Sequence, residues 1–379
     1  AALQTGGPSG GAQPIDGDLP TDLVIALEAA LDEIHVQTGA PGVSAAVGVV
    51  GLGRWAGVRG VADADTEAPL TTASRFHAAS VGKLVTATAA YRLAATGRLQ
   101  LDASVDTWFP AAPNASVVTL DHLLRHTSGI VDPAYVADSQ PAGPTVPAGP
   151  AGNATRSPTS RRGTLAATGY DDAFGLGAAF CPGARFLYSN TGYAMLGDVV
   201  AAASGLPLDQ ALTREVLAPA GMPDTRQLPV PATPGGISEE PIDRSLFVTG
   251  HDPAGQPIRT GVDFAAPRGA GALVCSATDL VVLLHAILSG SLHSRETVRD
   301  RLQPLLPMRE PATTGLAFGA GIHRLETPSG PLLGHLGGIP GFRAAVFFHP
   351  DSGTFLAVML NDESSQGAPL LRLLAAVQQ

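Results

Sequence analysis

Apolar positions along the first third of the chain change period once. Between Thr21 and Thr38, Leu23, Ile25, Leu27, Leu31 and Ile34 recur at helical spacing and a glycine follows, which predicts a helix with a C-terminal stop. Two β-leaning runs come next, Val43 to Val50 and Arg54 to Val61, joined through Gly51 and Gly53 as a hairpin. Near the C-terminus Leu316 to Leu325, Leu332 to Leu336, Ala344 to His349 and Thr354 to Leu360 read as further strands, with Asp351-Ser-Gly353 as a turn. Between these ends the period is helical over Ser80 to Ala95, Leu120 to His126, Thr191 to Ala203, Leu208 to Leu217 and Ala277 to Leu288.

A chain that opens and closes in one antiparallel sheet and inserts helices between is an α+β architecture with a discontinuous domain. The expected division is a flexible leader at 1–18, a sheet domain from 19–66 and 268–379 flanked by N- and C-terminal helices, and a mainly helical domain at 67–267. Asp138 to Gly163 breaks every pattern with Pro141, Pro144, Pro147, Pro150 and Pro158, and reads as a Pro/Gly-rich loop. Its Arg161-Arg162 pair reads as a chance exposed basic pair. The cleft between the halves is where a small molecule would bind.

Composition narrows the function. Charged residues make up only 15% and hydrophobic ones 45%, which fits a packed globular chain of 379 residues. A net charge of −10, with no basic cluster, makes nucleic acid an unfavourable partner. Apolar runs such as Leu280 to Leu284 fall far short of a membrane span of roughly 18 residues. Gly6 to Pro14 lacks the regions of a signal peptide, so the expected location is secreted or cell-envelope if such a peptide was removed, and cytoplasmic otherwise. Cys181 and Cys275 fit either one disulfide or two unpaired thiols. Oligomeric state is left open.

The chain uses one lysine against 22 arginines, and that lysine stands in Ser80-Val-Gly-Lys83 at the head of a predicted helix. Residues three apart share a helix face, so the hydroxyl and the amine can meet. A serine hydroxyl needs a base, and a lysine desolvated in a pocket can serve where an arginine cannot, because arginine stays protonated. The helix N-terminus adds a positive field and free N–H groups where an oxyanion would form. Tyr188-Ser189-Asn190 offers a phenol that can shuttle protons and an amide that can hold both a lysine and a substrate carbonyl. Gly334-His335-Leu336-Gly337-Gly338 follows one short strand and precedes another; its glycines allow close approach of a substrate to the backbone.

Other motifs fail on context. Gly7-Pro-Ser-Gly-Gly11 lacks the strand and helix of a nucleophile elbow, and Gly82-Lys83 lacks the upstream glycine and following hydroxyl of a phosphate loop. His122 and His126 have metal-ligand spacing, but Leu123 stands where a metalloprotease needs glutamate, so the pair reads as structural and no metal is expected.

With the three elements in this order, the sequence resembles the family of class C β-lactamases, DD-peptidases and related esterases. Leu123-Leu-Arg-His-Thr-Ser-Gly129, Pro182-Gly183, Gly271-Ala-Leu273, Ser276-Ala-Thr-Asp-Leu280 and Gly337-Gly-Ile-Pro-Gly-Phe342 carry the likeness further, from about Leu19 to the C-terminus. The resemblance implies Ser80 as nucleophile, Lys83 as its activator, Tyr188 as proton shuttle and Asn190 as the residue positioning Lys83 and substrate. It puts His335 in the place of the third motif's lysine or histidine, and gives the oxyanion hole to the N–H groups of Ser80 and Gly338, with Leu336, Gly337 and Gly338 along the substrate and no cofactor. Leu336 departs from the family's usual threonine or serine. That favours esters or amides without a free carboxylate over β-lactams and peptide C-termini, although a β-lactamase, a DD-carboxypeptidase, a transacylase and a non-catalytic penicillin-binding sensor are the alternatives.

Overall fold

A computed structural model describes residues 14–133, 170–229, 247–258, 264, 266–303, 306–307, 315–364 and 367–379. In chain order it contains α1 (Thr21–Thr38), β1 (Gly42–Val49), β2 (Gly53–Asp63), β3 (Ala68–Pro69) and β4 (Phe76–His77). A 3-10 turn at Ala79–Val81 leads into α2 (Gly82–Ala95). Next come α3 (Leu120–Leu124), α4 (Asp171–Gly175), α5 (Asn190–Ser204), α6 (Leu208–Leu212), β5 (Arg226–Gln227) and a second 3-10 turn at Arg268–Ala270. The chain closes through β6 (Leu273–Cys275), α7 (Ala277–Leu288), α8 (Arg295–Arg301), β7 (Leu306–Pro307), β8 (Leu316–Phe318), β9 (His323–Thr327), β10 (Gly330–Ile339), β11 (Phe342–His349), β12 (Thr354–Leu360) and α9 (Gly367–Val377).

The fold is α+β, as its period changes imply. Nine strands form one antiparallel sheet in the order β3-β2-β1-β12-β11-β10-β9-β8-β7, so the two chain ends meet where β1 pairs β12, Val43 opposite Leu360 and Ala46 opposite Ala357. Every residue of β1 and β12 is buried, because both faces of the sheet centre are covered. One face carries α1 and α9, with Leu27, Leu31 and Ile34 packed against Leu370, Leu373 and sheet residues such as Val47 and Phe347. The other face carries α7 and the helical half, with α2, α5 and α7 sharing one core. Small residues let α7 settle close: a Cβ on Gly48 would stand 3.0 Å from Val281.

Local signals account for most boundaries. Gly39 closes α1 in the left-handed region at φ 64°, its N–H donating to the His35 carbonyl. Ser276 and Asp279 form a reciprocal capping box at the head of α7. Four expectations change. Pro14–Asp18, expected within the flexible leader, lies along the β1–β2 hairpin with Ile15 buried and the Gly17 carbonyl accepting the Arg54 N–H at 2.8 Å. The Leu316–Leu325 stretch is two strands, broken at a turn where Gly321 adopts φ 68°. The helix from Leu120 stops at Leu124 because His126 turns left-handed at φ 57°. Leu208–Leu217 begins as α6 and finishes in a wider π turn. A second sheet, β4-β6-β5, joins three distant segments, and its strands of two or three residues are too short to be legible in the sequence. Both cysteines are free, Cys275 buried in β6 and Cys181 exposed. The Pro/Gly-rich loop at 138–163, Arg161-Arg162 and Gly7–Gly11 lie outside the described residues.

Candidate active site

The small sheet fixes the turn that carries Ser80. β4 pairs β6 with Phe76 opposite Cys275 and His77 opposite Val274, and the Ala78 N–H donates to the Leu273 carbonyl at 2.9 Å. Ala79 then adopts φ 49°, an unfavourable left-handed conformation for a residue with a Cβ, and Ser80 sits half-buried just ahead of α2 rather than inside it. Gly271 allows this: a Cβ there would stand 2.8 Å from the Ala79 carbonyl oxygen and 3.3 Å from the Ser80 nitrogen.

One turn on, Lys83 is fully buried, and its Nζ donates to Ser80 Oγ at 3.1 Å, Asn190 Oδ1 at 2.7 Å and the Ala270 carbonyl at 2.7 Å. Asn190 begins α5, where Ser189 caps the helix by accepting the Gly192 N–H at 3.0 Å. Its own N–H donates to Asp132 Oδ2 at 3.1 Å. Ala270 ends the 3-10 turn at Arg268–Ala270, which is held to α2 by Thr86 Oγ1 donating to the Gly269 carbonyl at 2.7 Å. Burial brings the Lys83 amine down to about 7, only partly opposed by the charge of Asp132.

Aromatic rings enclose the amine. Nζ lies 4.9 Å from the Tyr188 ring centroid and 5.6 Å from that of Tyr193. Tyr188 stacks on His126 at 4.4 Å, and the Tyr193 hydroxyl donates to the Leu124 carbonyl at 2.8 Å. His126 Nδ1 accepts the Ser189 N–H at 3.0 Å, which requires that nitrogen to be unprotonated. Burial, then Lys83 and His335, hold this imidazole well below its ordinary value. His122 Nδ1 likewise accepts the Thr119 N–H at 3.1 Å, so both members of the histidine pair spend a ring nitrogen on the backbone.

The third element lies along β10. β9 stops pairing at Gly334, so the edge from His335 to Ile339 is left for the Ser80 turn. Gly337 permits the contact, since a Cβ there would stand 2.3 Å from the Ala78 carbonyl and 3.2 Å from Val81. His335 is buried on the same face of the strand. Its Nδ1 lies 2.5 Å from the Leu336 carbonyl, which can only accept, so Nδ1 carries the proton. Burial and the Lys83 amine pull His335 down to about 3. Gly338 is exposed at the strand edge. Leu336 is not brought to the cleft with the others: strand alternation turns its side chain onto the cluster between the sheet and the terminal helices.

The structure therefore brings Ser80, Lys83, Asn190 and Tyr188 together and sets His335, Gly337 and Gly338 on the adjoining strand edge. Sequence reasoning missed the Ala270 carbonyl, Asp132 and His323, whose ring lies 3.6 Å from that of His335. A backbone carbonyl leaves no residue-type signal, and Asp132 lies just beyond the recognisable Leu123–Gly129 stretch.

Fold and site define a serine-type hydrolase. The chain belongs to the beta-lactamase family, whose model matches residues 24–379. Esterase EstB of Burkholderia gladioli is 30% identical over 306 residues, covering 76% of this chain and 70% of the esterase. Penicillin-binding protein 4* of Bacillus subtilis is 25% identical over 315 residues, and the match spans 80% of this chain but only 64% of that protein. The crystal structure of D-amino acid amidase from Ochrobactrum anthropi superposes with a TM-score of 0.78 at 26% identity, covering 94% of this chain and 99% of that one. Among the described residues no helix is long and apolar enough to cross a membrane.

Proposed function

We propose that this chain hydrolyses small esters or amides lacking a free carboxylate, through an acyl-enzyme on Ser80. The observation that carries the reading is the surroundings of Lys83 Nζ. A neutral amine has two N–H bonds and one lone pair. Asn190 Oδ1 and the Ala270 carbonyl can only accept, so in the neutral amine they take the two N–H bonds, and the position from which the charged amine donates to Ser80 Oγ carries the lone pair toward that hydroxyl. An amine near 7 is neutral often enough at neutral pH to act as that base.

Lys83 takes the Ser80 proton as Oγ bonds to the substrate carbonyl carbon. The oxyanion that forms is held by the N–H groups of Ser80 and Gly338. When the C–O or C–N bond breaks, the leaving alcohol or amine receives the proton through Tyr188. Water then attacks the ester carbon, Lys83 takes its proton, and Ser80 leaves with a proton restored. Asn190 positions Lys83 throughout, and His335, Gly337 and Gly338 line the substrate.

The substrate class rests on what the third motif does not offer. A carboxylate at this edge would meet a neutral imidazole at His335 rather than a cation, while Leu336 faces away from it. A hydrogen bond to a charged group is worth about 1.5 to 3 kcal/mol, or roughly 10- to 150-fold. Intact-mass analysis after exposure to p-nitrophenyl butyrate, benzylpenicillin and a fluorophosphonate tests the reading. The fluorophosphonate adds one group at Ser80 and none in Ser80→Ala, and the ester is turned over faster than the penicillin. Labelling that persists in Ser80→Ala removes the nucleophile assignment, and faster penicillin turnover moves the β-lactamase reading ahead.

A further inference from the structure

The Ala270 carbonyl that accepts from the Lys83 amine belongs to the backbone, so its place is set by whatever anchors the Arg268–Ala270 turn. Contacts to the turn's own backbone hold part of it. Gln227 Nε2 donates to the Arg268 carbonyl at 3.0 Å and Thr86 Oγ1 to the Gly269 carbonyl at 2.7 Å. Gly269 lies so close to α5 that a Cβ on it would stand 2.6 Å from the Tyr193 carbonyl oxygen and 2.8 Å from the Gly197 Cα. The remaining anchor is a side chain. Arg268 Nη2 donates to Asp198 Oδ1, and Asp198 Oδ2 accepts the Tyr170 hydroxyl at 2.6 Å.

Arg268 stands at φ 50°, in the left-handed region that disfavours a Cβ and that glycine enters freely, so the backbone gives no reason for an arginine there. Its guanidinium does. Asp198 follows Gly197 on α5, the helix that begins with Asn190, and Asn190 Oδ1 is the other side-chain or backbone oxygen that can only accept from Lys83. The Arg268–Asp198 pair therefore ties the turn that presents one acceptor to the helix that presents the other. The two side chains are 24% and 26% exposed, and the Tyr170 bond fixes the rotation of the carboxylate, so the pair keeps one geometry where a fully solvated pair would not.

We propose that Arg268, with Asp198 as its partner, is a positioning residue for the hydrolysis. It holds the Ala270 carbonyl at the separation from Asn190 at which a neutral Lys83 amine keeps both N–H bonds engaged and its lone pair toward Ser80. The proposal rests on the reading of Lys83 as the base. Asp198 lies about two turns along α5 from Asn190, so the pair stands back from the substrate. Its loss should act on the proton transfers, which acylation and deacylation share, and leave substrate binding alone.

The test is steady-state kinetics on p-nitrophenyl butyrate with Arg268→Met, which keeps a long side chain and removes its charge, and Arg268→Lys, which restores a cation. Arg268→Met should lower kcat by about tenfold or more with KM within about twofold, since displacements of about 1 Å can cost 100-fold. Arg268→Lys should recover most of that loss. Asp198→Ala, which leaves residue 268 untouched, should reproduce the Arg268→Met defect, and it decides the matter should Arg268→Met fail to fold. In a Lys83→Met background, adding Arg268→Met should change the residual rate of Ser80 labelling by a fluorophosphonate by less than about twofold, because the pair acts only through the amine. An unchanged kcat in Arg268→Met and Asp198→Ala, a loss confined to KM or Tm, or a further tenfold loss in Lys83→Met overturns the proposal. Wild-type labelling by Lys83→Met would instead remove the base assignment itself, a failure distinct from that of Arg268.

Discussion

Lys83 has three partners, and each of them constrains what a substitution can do. Lys83→Arg keeps the charge but cannot accept the Ser80 proton, so kcat/KM for a p-nitrophenyl ester should fall by at least about 100-fold, the usual share of a proton-transfer group. The same chemistry sets a pH dependence. The amine is pulled down to about 7, so the active, neutral form is lost below that pH, and kcat/KM should rise from about pH 6 and level off above about 8. A profile flat between 5 and 9 would show that Lys83 does not act as the base. Asn190→Ala removes one of the two acceptors that orient the amine, and the rising limb should weaken in amplitude. At this scale the sequence was informative because a lone lysine among arginines marks a position where charge alone does not suffice. It was silent on Ala270, since any residue could supply that carbonyl.

At the scale of elements, reactivity depends on two close approaches of backbone, and both use glycine. Gly271 sits under the Ala79–Ser80 turn and Gly337 lies against the Ala78 carbonyl, so the turn is clamped between β6 and β10. Gly337→Ala would place a Cβ 2.3 Å from that backbone carbonyl, a clash that moves β10 or the turn by about 1 Å. Since displacements of about 1 Å can cost 100-fold, esterase activity should fall by roughly that factor while circular dichroism stays native. Retained activity would show that the strand edge does not shape the site. Period alone revealed α1 and α7, because each buries one face against the sheet, and β12 showed as an unbroken apolar run because both its faces are covered. The break in Leu316–Leu325 and the early end of α3 depend on Gly321 and His126 adopting left-handed backbone, which apolar spacing cannot report. β4, β5 and β6 exist through tertiary pairing of two or three residues, below the length at which alternation forms a pattern.

Over the whole molecule, burial of imidazoles makes stability depend on pH. His126, His323, His335 and His293 are buried, and burial is the leading cause that holds each below its ordinary value, with His335 and His293 brought to about 3. His323 has neither ring nitrogen partnered, so its protonation in the folded chain finds no acceptor. In the unfolded chain the same rings titrate near 6.5. Above that pH both states are neutral and these groups contribute nothing to the pH dependence. As pH falls from about 6.5 toward 4.5 the unfolded state takes up protons that the folded state refuses, so stability is lost on the acid side. The two rings brought to about 3, each about nine-tenths protonated in the unfolded chain at pH 5.5, give a slope of roughly 2 to 3 kcal/mol per pH unit, and His126 and His323 act in the same direction. Against a total of roughly 5 to 15 kcal/mol, a loss of that size over the acid range is a large share of the stability. Lys83 acts with the same sign in a different window: its folded value lies near 7 and its unfolded value near 10.5, so it favours folding increasingly between those limits. Urea-unfolding midpoints measured from pH 7.5 to 4.5 should therefore fall steeply below pH 6. His323→Phe, which removes one refused proton and two unpartnered nitrogens while keeping a ring against Phe318 and His335, should reduce the slope. An equal slope in wild type and variant would mean that His323 is protonated alike in both states, and its sealed position beside His335 would then have to open to water.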